Sequence, residues 1–119
     1  MSVLEYEVID HVGVIKLNRP EAKNAINPEL AVKLADLWES VRDDDSIRVV
    51  VLTGVGDVFC AGADLGQLIP LISGGRGAEN EWDERVLSDK DILERTLLRS
   101  FDVEKPVIAA INGHGIAGG

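Results

Sequence analysis

Hydrophobic and polar residues alternate loosely from Glu5 to Asp10, and again from Val12 to Leu17 after a break at His11. A period of two is the mark of half-buried strands, so a β-hairpin or two adjacent strands are expected here. Pro20 and the asparagines at 18 and 24 oppose regular structure, and residues 18–25 read as a loop. From Asn27 the period lengthens. Asn27 suits a helix cap, Pro28 the first helical position, and Glu29 complements the positive end of the helix dipole. Leu30, Leu34, Leu37, Trp38 and Val41 then recur on one helical face, which places Trp38 in a core. Asp43, Asp44 and Asp45 read as a solvated exit loop.

Val49, Val50, Val51 and Leu52 are apolar on both alternations, the pattern of a parallel strand covered on both faces. Pro106 to Ile111 repeats it. Strand, helix, strand, intervening segment, strand makes βαβ units and an α/β fold. Residues 66–85 are harder to assign: Ser73 to Gly77 interrupts any helix, and Glu79 to Arg85 is acidic around Trp82. They read as a mobile surface insertion, compatible with a lid. Asp89 to Ser100 is expected to be a helix burying Ile92, Leu93, Thr96 and Leu97, ended before Pro106.

With 119 residues the chain has room for at most one ordinary domain. No apolar run is long enough for a membrane span, and the start, Met1 to Glu5, lacks the layout of a signal peptide. A cytoplasmic protein is expected, or one of the mitochondrial matrix after loss of a targeting segment. Cys60 is the single cysteine, which excludes an internal disulfide and fits a packed thiol in a reducing compartment. His11 and His114 stand alone, so no metal site is expected. A formal net charge of −9 argues against nucleic acid as a partner.

The chemistry is carried by two glycine-rich turns, each following an apolar strand. Phe59-Cys60-Ala61-Gly62-Ala63-Asp64-Leu65 follows the first, and Asn112 to Gly119 follows the second. Small residues there leave backbone N–H groups bare, and one N–H from each turn could hold a single carbonyl oxygen as charge develops on it. Gly113-His114-Gly115-Ile116-Ala117-Gly118 also fits G-x-G-x-x-G, the turn of a dinucleotide site. An NAD-binding oxidoreductase is therefore a second reading, although it gives no role to the first turn.

Four segments together resemble the crotonase (enoyl-CoA hydratase/isomerase) superfamily: Asn18-Arg19-Pro20 with Lys23-Asn24-Ala25, Arg48 to Gly54, Phe59 to Leu65, and Lys105 to Gly113. The resemblance implies a crotonase-like spiral of ββα repeats, incomplete as given, with residues 1–119 as its N-terminal part. The remaining turns and a helical trimerisation region would lie beyond. It implies an acyl-CoA thioester enzyme of fatty acid metabolism, with coenzyme A as part of the substrate and no separate cofactor. Ala63 and Gly118 correspond to the two oxyanion-hole amides. Ala22, Lys23, Ala61, Asp64 and Leu65 correspond to substrate-binding positions, and Lys23 or Arg19 would meet phosphate.

Hydration of a 2-enoyl-CoA by a lyase is the expected reaction. Isomerase and other crotonase chemistries stay open, as does a non-catalytic CoA-thioester binding subunit. The resemblance puts the first acid/base glutamate two residues past Gly119, and a homotrimer or dimer of trimers as the assembly.

Overall fold

The structure, a computed structural model, describes residues 2–119. Strands β1 (Leu4–Ile9) and β2 (Val12–Leu17) form an antiparallel hairpin. Asp10 and His11 both take positive φ, 47° and 69°, the backbone that a two-residue hairpin turn needs to match the twist of its strands. Helix α1 (Pro28–Asp43) leads into β3 (Val49–Gly54), which lies parallel to β2. Strand β5 (Val107–Ala109) lies parallel to β3 on its other side, giving the order β1-β2-β3-β5. Two short strands, β4 (Val58–Cys60) and β6 (His114–Gly115), pair parallel in a sheet of their own. No helix among the described residues is long and apolar enough to cross a membrane.

Helix α1 starts where its sequence says it should. The Asn27 side chain accepts the Leu30 N–H at 2.9 Å, and Pro28 occupies the first turn. Leu30, Leu34, Trp38 and Val41 are buried against Ile15, Leu17 and Val50 of the sheet, while Leu37 is only half-buried. Trp38 is core, and its Nε1 donates to the Thr96 carbonyl at 3.1 Å. At the far end, Lys105 Nζ donates to the carbonyls of Val41 and Asp44. A cation there meets the negative end of the helix.

Three expectations change. Val50 is the one fully buried residue of β3, and every residue of β5 is exposed. The helices cover one face of the sheet; on the other, Val49 and Val51 are half-buried, so the doubly covered strand of the sequence reading is a singly covered one here. Residues 66–85, read from the sequence as a mobile surface insertion, contain helical structure. They carry α2 (Leu68–Ser73), capped by Gly74 in the left-handed region, and α3 (Glu81–Ser88), capped by Asn80, whose side chain accepts the Asp83 N–H at 2.9 Å. The Asp83 carboxylate is 1% exposed and binds Arg76 at 2.7 Å, tying the glycine loop to α3. Last, the helix expected over 89–100 is the short α4 (Ile92–Thr96). Leu98 at φ 53° ends it, burying Ile92 and Thr96 but leaving Leu97 exposed.

Candidate functional site

The segment from Cys60 to Asp64 is gripped by two others. From the loop before α1, Lys23 offers its carbonyl to the Ala61 N–H at 3.1 Å. Ile26 donates to the Gly62 carbonyl at 2.8 Å and accepts from the Asp64 N–H at 2.9 Å. From just after β6, Ile116 donates to the Cys60 carbonyl at 3.0 Å. The two glycine-rich turns that sequence reasoning singled out therefore lie side by side.

Gly62 is the point of closest approach. Its φ is +90°, and a Cβ there would stand 2.7 Å from the Ile116 carbonyl oxygen and 3.4 Å from the Gly118 nitrogen. An L side chain would be strained in that backbone and would push the second turn away. Gly113 is needed for a similar reason, since a Cβ on it would collide with the Asp57 carbonyl.

Ala63 and Gly118 face one cavity of about 320 Å³, walled by Ile26, Leu68, Ile72, Leu93 and Leu97. Among the described residues, neither the Ala63 N–H nor the Gly118 N–H has a hydrogen-bond acceptor. Uncommitted main-chain donors beside an apolar cavity are a polar resource awaiting a partner.

Other candidates are differently placed. Asp64 turns inward. Its carboxylate accepts the N–H groups of Gly66 and Gln67, both at 2.8 Å, and Arg19 Nη1 at 3.1 Å. Burial pushes its pKa up, but the Gln67 and Gly66 N–H groups and Arg19 outweigh it and hold the carboxyl below its ordinary range. Arg19 itself is buried, spent on Asp64 and the Ala25 carbonyl, which removes it as a phosphate ligand. Lys23 is exposed and remains available. Leu65 is 82% exposed, and Ala22 and Ala61 are half-buried on the neighbouring surface.

Cys60 is buried, donating through Sγ to the Asn24 carbonyl at 3.2 Å, and burial pushes its pKa up. It is a packed thiol. Asn24, which sequence reasoning gave no role of its own, is fully buried, and its Nδ2 reaches the carbonyls of Val55, Val58 and Phe59 within 3.2 Å. An asparagine between a lysine and an alanine in a loop carries no signal of that; only the tertiary contact reveals it.

The sequence profile of the enoyl-CoA hydratase/isomerase family matches residues 7–119. The chain belongs to that family. It is 36% identical over 121 residues to (E)-benzylidenesuccinyl-CoA hydratase of Thauera aromatica, a match covering 95% of this chain and 40% of that protein. Among solved structures it resembles an enoyl-CoA hydratase from Mycobacterium tuberculosis H37Rv, with a TM-score of 0.76, 31% identity, and coverage of 99% of this chain and 41% of the other. The enoyl-CoA hydratase of Bacillus anthracis gives 0.75 and 32%, covering 99% and 43%. The chain thus has the α/β crotonase fold and spans about two fifths of the length of these relatives.

Family membership also agrees with the local structure of the second turn. Gly115 serves strand pairing opposite Cys60, with His114 opposite Val58.

Proposed function

We propose that this chain forms the thioester-holding part of an acyl-CoA enzyme. The N–H groups of Ala63 and Gly118 together receive the thioester carbonyl oxygen and stabilise the enolate that forms when the α,β double bond reacts. The observation that carries the reading is the pair of acceptor-free amides on a single apolar cavity. In a water-poor site such fixed donors need no reorganisation as charge develops, and one of them is typically worth about 3–4 kcal/mol of barrier.

Coenzyme A would run out along Asp64 and Leu65, past Ala61, toward Ala22 and Lys23. Lys23 is the cation available there for a phosphate. Asp64 acts through structure, by its grip on Gly66, Gln67 and Arg19, rather than by touching the nucleotide.

Within this class, hydration of a 2-enoyl-CoA to a 3-hydroxyacyl-CoA is the reaction we favour. Its support is that the Thauera relative and the Mycobacterium and Bacillus structures are all named as hydratases. Isomerase chemistry would use the same two amides with acid/base groups placed differently.

Crotonyl-CoA tests the proposal directly in the whole protein that carries this chain, because hydration removes the absorbance of the conjugated thioester. Loss of that absorbance with formation of 3-hydroxybutyryl-CoA is expected. Double-bond migration alone would move the assignment to an isomerase. Binding of butyryl-CoA without turnover of any enoyl-CoA would leave a non-catalytic thioester binder. Titration of NADH alongside separates the dinucleotide reading, for which heat of binding is expected from butyryl-CoA only.

A further inference from the structure

The cavity that holds Ala63 and Gly118 is apolar except at three side chains: Thr96, Glu94 and Arg99. Thr96 is spent, since its single hydroxyl proton is shared between the carbonyls of Ala31 and Ile92, at 2.7 and 2.8 Å. Glu94 and Arg99 are held more loosely, in an ion pair without a direct hydrogen bond. One carboxylate oxygen of Glu94 accepts the Ser100 hydroxyl at 2.8 Å, and the other stands 3.9 Å from Arg99 Nη1, beyond a good hydrogen bond. The two side chains are 39% and 69% exposed, so neither is fixed by packing, and a gap is left between acceptor and donor.

A carboxylate and a guanidinium in a loose ion pair, too far apart for a direct hydrogen bond, suit a particular guest. A hydroxyl both donates and accepts, so it can bridge the two by giving its proton to Glu94 and taking one from Arg99. A purely apolar tail would leave both charges to water and gain nothing from them. A carboxylate tail would meet Arg99 but also Glu94, in a chain whose net charge is −9.

We infer that Glu94 and Arg99 are specificity-determining residues for the acyl group, and that they select a thioester whose acyl chain carries a hydroxyl over one that ends in hydrocarbon. The inference rests on the acyl-CoA reading above and names the substrate class of that same site.

The test compares three CoA thioesters of equal chain length by calorimetric titration: hexanoyl-CoA, 6-hydroxyhexanoyl-CoA and adipoyl-CoA. The hydroxy compound is expected to bind roughly tenfold more tightly than hexanoyl-CoA, the scale of one bridged, charge-assisted hydrogen-bond pair at a half-exposed site. In the double variant Glu94→Leu, Arg99→Met that ratio is expected to fall to about one, a change that general loosening of the fold would not produce. Equal binding of the hydroxy and plain compounds, or a ratio unmoved by the double variant, overturns the inference while leaving the acyl-CoA reading intact. Tightest binding of adipoyl-CoA overturns it too, because Arg99 would then be acting as a bare cation. Absence of binding by all three removes both readings at once.

Discussion

The Arg19 guanidinium lies 3.1 Å from the Asp64 carboxylate, with both side chains nearly buried, and so joins the loop before α1 to the turn that carries Ala63. Asp64 also holds the Gly66 and Gln67 N–H groups, and its carboxyl is kept below the ordinary range. A folded-state pKa lower than the unfolded one stabilises the fold above the ordinary carboxylate value, about 3.9, and that stability is lost as pH falls toward the folded value. The Asp64→Asn variant keeps the cap geometry and loses the charge. It is expected to be less stable at neutral pH by about 1–3 kcal/mol and to show a flatter loss of stability below about pH 4. Denaturant melts across pH 2.5–7 check this.

The contact between Gly62 and the Ile116 carbonyl yields a second expectation. Gly62→Ala combines a φ of +90° with a Cβ at 2.7 Å from a backbone oxygen that belongs to the second turn. Strain of this kind costs about 1–3 kcal/mol. Part of it would be relieved by moving Ile116 and Gly118, so acyl-CoA binding is expected to weaken along with stability. Calorimetric titration of butyryl-CoA beside a thermal melt separates the two effects. An unchanged affinity in a destabilised variant would detach Gly118 from ligand binding.

Asn24 carries a purely structural prediction. Its side chain serves three carbonyls and accepts the Arg19 N–H at 2.8 Å, all in a buried setting. Asn24→Ala would leave those groups unpaired, and each buried orphan costs about 1–3 kcal/mol. Loss of about 3 kcal/mol or more is expected on denaturant melting. Asn24→Asp should be no better, since it sets carboxylate oxygens against carbonyl oxygens.

Arg76 and Asp83 bear on the segment that the sequence left open. Asp83 is 1% exposed, and removing its partner leaves a buried charge. Arg76→Met is expected to destabilise, because it leaves the Asp83 carboxylate without its guanidinium partner. The loss should be local. Hydrogen exchange is expected to quicken over residues 74–88 while α1 keeps its protection. Uniform acceleration across the chain would show that this segment folds with the rest.

What the sequence revealed, and what it hid, follows from where each signal resides. Helix α1 and the β1–β2 hairpin were legible because their periods and caps are local: Asn27, Pro28 and the turn at Asp10 and His11 act within a few residues. The two glycine-rich turns were legible because small residues after a strand have few other uses. Helices α2 and α3 were not, since α2 is six residues long and includes Pro70, and both are secured by Arg76 reaching Asp83 and the Gln67 carbonyl. Asn80 followed by Asp83 was a cap signal that could have been used. Glu94 and Arg99 could not be assigned to the cavity at all, because the end of α4 at Leu98 decides which way they face.

The last prediction targets a single main-chain amide. Ala63→Pro deletes the N–H that has no acceptor among the described residues, while the flanking bonds from Ile26 to Gly62 and from Asp64 to Ile26 use other atoms. If the Ala63 amide stabilises an enolate oxygen, crotonyl-CoA turnover by the whole protein that carries this chain should fall by about 10²–10³-fold, with a much smaller change in KM. Because proline could also disturb the turn, Ala63→Ser serves as the companion: it retains the amide and should keep most of the rate. Comparable losses in both variants would mean the position acts through shape. A slow proline variant beside an active serine variant would assign the effect to the missing N–H.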